Sequence, residues 1–230
     1  LCVGICRVMS ATLELACFHP DAAELAQRWG VPRIEFCADA KLGGTSPSAD
    51  QVDRVRRAFG GELGVMLRPR GGNFVYSASE FRVMAEELPR LAGQGVDFVV
   101  LGALTEGGEL DPRTADVAEL AAAHGIPWVL HRAFDAARNR FEALAAAEAL
   151  GCARILTGLG ASSMGDLVAL REAAKLEILP GGGIRARNAA DYLEAGFRQI
   201  HSAALLDYDA VPPLPDEDET LALLELCRPY

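Results

Sequence analysis

Short apolar runs recur along the chain, each followed by a polar or glycine-rich loop and then by a segment of helical spacing. Eight runs read as strands: Thr12–Phe18, Pro32–Cys37, Leu63–Arg68, Phe98–Leu101, Ile126–Leu130, Arg154–Thr157, Leu176–Leu179 and Gln199–Ser202. The segments between them read as helices, from Asp21 to Trp29, Ser48 to Phe59, Ser79 to Ala92, Asp111 to Ala123, Arg140 to Leu150, Ser162 to Lys175 and Asn188 to Ala195. Ser48 has the chemistry of an N-cap, and Gly30 that of a helix stop. Strands alternating with helices predict a parallel sheet, and eight strands close into a TIM-type (β/α)8 barrel, here with some short or missing helices. Residues 1–10 read as an N-terminal extension and 11–208 as one barrel domain. Residues 209–230 read as a Pro- and acid-rich tail with a short helix from Thr220 to Leu226.

Three of the apolar runs end in titratable groups just before a loop, as strands do at the active face of such a barrel. They are Ile34-Glu35-Phe36-Cys37, Leu67-Arg68-Pro69-Arg70-Gly71-Gly72, and Leu130-His131-Arg132-Ala133-Phe134-Asp135. Side chains alternate along a strand, so parity sorts them. Ile34 and Phe36 belong against the helices, which points Arg33, Glu35 and Cys37 into the barrel. Glu14 and Ala16 face the same interior, and Leu13, Leu15 and Cys17 face outward. A buried carboxylate needs a partner, and Arg68, Arg70 and Arg132 are the cations expected to supply it. Glu14 and Glu35 fit either an interior ion-pair network or acid–base chemistry.

His131 is the candidate general base or acid, with Asp135 to orient it or to act itself, and Glu35 and Arg68 complete the candidate catalytic set. An anion is expected near Arg70, Arg132 and His201 and the Pro180-Gly181-Gly182-Gly183 loop. Guanidinium groups offer bidentate forks, and the loops after the seventh and eighth barrel strands often bind phosphate through backbone N–H groups.

The 230 residues carry a net charge of -10, which disfavours a nucleic-acid surface, since phosphate binding needs clustered Lys and Arg. No apolar stretch is long enough to cross a membrane. The first ten residues lack the basic region that opens a signal peptide. Six scattered cysteines without a C-x-x-C pair read as reduced thiols, which fits a cytoplasmic protein.

Taken together, Ile34 to Cys37, Gly43-Gly44-Thr45-Ser46-Pro47-Ser48, Arg68 to Ser77, Gly102-Ala103-Leu104-Thr105, His131 to Asp135, Leu156-Thr157-Gly158 and Pro180 to Ile184 resemble the CutC family, in order across residues 12 to 206. The resemblance implies a TIM-type barrel, a cytoplasmic homodimer or larger oligomer, and a role in copper homeostasis with Cu(I) as ligand. Relatives proposed to bind Cu(I) carry Glu-x-Cys on both of the first two strands. This chain keeps the second, as Glu35-Phe36-Cys37, and has Glu14-Leu15-Ala16 at the first. Cu(I) favours two or more soft sulfur ligands, so Cys37 alone predicts weak binding. The other expectation is a barrel enzyme that acts on a small anionic or phosphorylated metabolite by acid–base chemistry.

Overall fold

The protein is described by a computed structural model over residues 11–158 and 163–228. Eight parallel strands form the wall: β1 Thr12–Cys17, β2 Arg33–Phe36, β3 Glu62–Met66, β4 Phe98–Leu101, β5 Trp128–Leu130, β6 Arg154–Gly158, β7 Glu177–Gly181 and β8 Gln199–Ser202. Around them lie α1 Pro20–Trp29, α2 Ala49–Ala58, α3 Ala78–Gly93, α4 Thr114–Ala123, α5 Arg140–Ala149, α6 Met164–Ala173, α7 Ala186–Glu194 and α8 Glu217–Cys227. The ladder runs in the order β7-β6-β5-β4-β3-β2-β1-β8. The β7–β8 seam closes by packing: a Cβ on Gly181 would lie 3.3 Å from Cβ of His201, and Ser202 Oγ donates to the Ile184 carbonyl at 2.7 Å. Glycine at 181 keeps clear of Leu156, whose Cδ1 would lie 2.8 Å from such a Cβ.

The strands are short and apolar because both of their faces are covered. One core lies between wall and helices and holds Leu13, Leu15, Cys17, Ile34 and Phe36. A smaller core fills the barrel and holds Cys37, Met66, Phe98, Val100 and Val129. The alternation read from the sequence is therefore realised strand by strand. Ser48, Ser77 and Ser163 cap α2, α3 and α6 by accepting from the N–H three residues on.

The boundaries differ from expectation at a few places. α4 opens at Thr114, because Asp111 is occupied by Arg113, accepting from its backbone N–H at 2.9 Å and its side chain at 2.6 Å. The expected sixth-helix start at Ser162 and the extension over residues 1–10 lie outside the described residues. α8 begins three residues before the expected Thr220, capped by Asp216, whose carboxylate accepts from the Glu219 N–H at 2.9 Å. Its far end is tied to the barrel where Ala11 N–H donates to the Cys227 carbonyl at 3.0 Å.

Candidate active site at the barrel mouth

The C-terminal ends of the strands surround a cavity of about 520 Å³. Of the expected residues, Glu35, Arg68, His131, Arg132, Asp135, Gly182, Gly183 and His201 line it. Gly181, Cys37 and Arg70 do not. Gly181 is the last residue of β7, and the chain turns into the cavity only at Gly182 (φ 71°) and Gly183 (φ 111°), a left-handed pair that glycine tolerates.

The floor is a buried charge network. β1 pairs with β2 and β8 in a register that sets Glu14 opposite both Arg33 and His201. Arg33 Nε lies 2.8 Å from Glu14 Oε2, and His201 Nδ1 lies 2.7 Å from Glu14 Oε1. Burial would raise the Glu14 pKa, but the hydrogen bond and charge of His201, with Arg33 and Arg154, outweigh it and hold the carboxyl at about 2. Burial likewise works against a charged His201, yet Glu14 and Glu35 together raise its pKa above the ordinary value. Glu35 is different. Burial dominates and raises its pKa. Its Oε1 accepts from Cys37 Sγ at 3.1 Å, and its Oε2 has no hydrogen-bond partner among the described residues.

Arg68 is not the counter-ion expected for these carboxylates. The loop after β2 reaches it first: its guanidinium donates to the carbonyls of Leu42 (3.0 Å), Gly44 (2.7 Å) and Gly72 (3.0 Å) and lies over the Phe74 ring. Arg70 is withdrawn further. It binds Glu80, Asn73 and the carbonyls of Gly71 and Val75, so it braces its own loop instead of clamping an anion.

His131 points inward with Val129, as parity requires, but it is not set up as a base. Its Nδ1 accepts from the Ala133 N–H at 3.2 Å, which puts the proton of the neutral ring on Nε2. Burial, with the Arg68 cation beside it, lowers its pKa to about 3. Nε2 is buried and has no partner among the described residues. A neutral imidazole of this kind donates a hydrogen bond and polarises an oxygen. Asp135 does not orient it. That carboxylate accepts from Thr157 Oγ1 at 2.6 Å and Gly158 N at 3.1 Å, and its nearest cation is Arg132 at 3.3 Å. Arg132 is 58% exposed, at the rim.

Sequence reasoning missed Arg185. It precedes α7, lines the cavity beside Gly183, donates to the Leu205 carbonyl at 2.7 Å, and meets no carboxylate among the described residues. Its signal was its position: the last residue of the glycine loop before a helix N-terminus, where anions are favoured. Arg33 was seen to face inward but was not matched to Glu14, because only the register brings the two together.

Among the described residues, the thiols do not make a paired copper site. Cys37 belongs to the interior core, Cys17 packs on the helix side of the wall with its Sγ toward the Leu15 carbonyl at 3.8 Å, and Ala16 lines the cavity. Two cysteines on opposite faces of one wall cannot chelate one ion. Burial and the adjacent Glu35 also raise the Cys37 pKa well above its ordinary value, which disfavours the thiolate that binds metal.

The CutC family pattern matches residues 11–206. A CutC family protein of Enterobacter sp. (strain 638) is 38% identical over 200 residues, which cover 84% of this chain and 80% of its own. One from Salmonella enteritidis PT4 is 37% identical over 201 residues, covering 84% and 80%. Among solved structures, a CutC protein of Streptococcus agalactiae, named for copper homeostasis, superposes with a TM-score of 0.75 at 32% identity, covering 84% of this chain and 98% of that one. The N-acetylmannosamine-6-phosphate 2-epimerase of Clostridium perfringens, at 15% identity and a TM-score of 0.61 over 86% of this chain and 88% of that one, shares the fold alone. The family pattern, the relatives and the eight-stranded barrel agree, and the chain belongs to the CutC family.

Proposed function

We propose that the chain is a barrel enzyme that acts on a small anionic metabolite at the mouth by acid–base chemistry. The observation that carries this reading is the composition of one cavity. Arg132, Arg185 and the Gly182–Gly183 backbone line it together with Glu35, His131, Asp135 and His201. The overall charge is -10, so guanidinium groups gathered in one concave place are a local feature with a local use. The anionic group of the substrate sits against Gly183 and Arg185, at the N-terminus of α7. His131 Nε2–H then polarises a carbonyl or hydroxyl oxygen, and the Glu35–His201 floor handles the proton.

The test is a thermal-shift screen of phosphorylated and carboxylated sugars and acids, followed by proton NMR in D2O on any compound that raises Tm. The expected result is a stabilising anion whose shift disappears in Arg185→Gln, with exchange of a carbon-bound proton that depends on His131. A screen without a stabilising anion, or one whose hits shift Arg185→Gln equally, overturns the reading.

Copper enters this reading as cargo, through the family's association with copper homeostasis. Cys37 is the sulfur ligand the barrel interior offers it, next to Met66, and one thiol makes this a weak Cu(I) site. The reading also includes a cytoplasmic homodimer. Among the described residues, no helix is long and apolar enough to cross a membrane. Light scattering of the purified chain measures the oligomer.

A further inference from the structure

The floor of the cavity holds a group of side chains that an anion-binding enzyme does not by itself require. Glu14, Glu35 and His201 each offer one donor atom, and these atoms lie within 4.8 Å of one another. All three residues are buried. Small side-chain shifts bring such a set within the bonds of about 2.0–2.2 Å that carboxylate and imidazole make to a small divalent ion.

Two features set this apart from an ordinary interior ion pair. Glu35 is 4% exposed, yet among the described residues no salt bridge reaches it, and its Oε2 has no hydrogen-bond partner. A carboxylate oxygen buried without a donor is costly. Glu14 and His201, by contrast, face each other: His201 Nδ1 lies 2.7 Å from Glu14 Oε1, with Arg33 Nε 2.8 Å from Glu14 Oε2, and an ion held by both takes the place of the proton between them. His201 and Glu35 both open on the cavity, so an ion has a way in.

We propose that Glu14, Glu35 and His201 bind one divalent transition-metal ion at the floor of the barrel cavity. Two carboxylates and an imidazole are a hard to borderline donor set, suited to Mn2+ or Zn2+ and unsuited to Cu(I). The site therefore differs in ligand chemistry from Cys37, whose Sγ donates to Glu35 Oε1 at 3.1 Å, a donor role that serine keeps. It leaves the anion site at Gly183 and Arg185 as it stands and replaces only the proton-handling role given there to Glu35 and His201, whose donor atoms the ion takes up.

Mn2+ is the probe, because thiols bind it poorly and carboxylates bind it well. The full chain, stripped with chelator and dialysed, is titrated with Mn2+, and free ion is followed by electron paramagnetic resonance. Zn2+ is then added as competitor. The expected result is one Mn2+ per chain, displaced by Zn2+, with affinity reduced at least about tenfold in Glu35→Gln and in His201→Ala, and unchanged in Cys37→Ser. Glu35→Gln keeps shape and takes no partner from any cation, so it folds, and circular dichroism verifies this for both variants. Failure of the wild type to bind an equivalent of Mn2+ or Zn2+ overturns the proposal. So does binding that survives Glu35→Gln and His201→Ala, or that is lost in Cys37→Ser. The anion screen is read separately, with and without chelator, so failure of one leaves the other standing.

Discussion

Replacing Glu14 by Gln should destabilise the protein far more than replacing Glu35 by Gln, although the two residues are neighbours in the same interior. Glu14 holds Arg33 at 2.8 Å and His201 at 2.7 Å. Without the charge, the buried guanidinium keeps only Gln199 and the half-exposed Glu62 at 3.4 Å. Removing one member of a buried ion pair costs about 3–5 kcal/mol. The depressed pKa agrees in scale, since a carboxyl held at about 2 instead of 4.5 corresponds to about 3 kcal/mol at neutral pH. At about 2 °C per kcal/mol for a chain of this size, Tm should fall by about 6–10 °C. Glu35 holds no cation, so Glu35→Gln should move Tm by no more than about 2 °C. Scanning calorimetry at pH 7 in chelator measures both.

The pH dependence adds a check on sign. Glu14 has a depressed folded pKa, so its contribution is full above 4.5 and is lost as pH falls toward 2. His201 has a raised folded pKa, so its contribution is full below 6.5 and is lost as pH rises through the folded value. Glu14→Gln should flatten both limbs. Equal losses for the two variants, or an unchanged acid limb in Glu14→Gln, refute the pairing of Glu14 with Arg33 and His201.

Other outcomes follow from the same geometry. His131 titrates at about 3 when folded, against 6.5 in the unfolded chain, so it costs stability as pH falls below 6.5. Urea melts of wild type and His131→Gln should differ in slope by about 2–3 kcal/mol between pH 6.5 and 4.5, and parallel curves would mean a solvated ring. Arg70→Lys should lower Tm while leaving any anion-induced shift intact, because Arg70 braces its loop outside the cavity. A lost shift would restore Arg70 as an anion ligand. Ala16→Cys puts a second thiol on the inward face of β1, and should tighten Cu(I) binding in competition with a chelator. Unmodified protein that binds as tightly as the variant would argue against this.

Much of this architecture was legible along the chain because it is written in local, periodic terms. Alternation of apolar and polar positions marked each strand and named its inward residues. Parity put Glu14 and Glu35 inside and turned Cys17 outward, and the barrel keeps all three so. The glycine run after Leu179 marked the loop that lines the cavity. What one-dimensional reading lacked was partnership. Arg68 could be seen to end a strand, but not that the Leu42–Gly44 carbonyls, folded over it from another loop, would take its donors. Asp135 lies near His131 in sequence, yet the turn after β5 carries it to Thr157 and Gly158. Arg33 meets Glu14, and Glu14 meets His201, across 187 residues because of strand register. Hydrogen-bond and charge partners depend on separations of an ångström between distant segments, which periodicity does not encode. Tertiary structure therefore decided which carboxylate is paired, which is left alone, and which imidazole is made the stronger base.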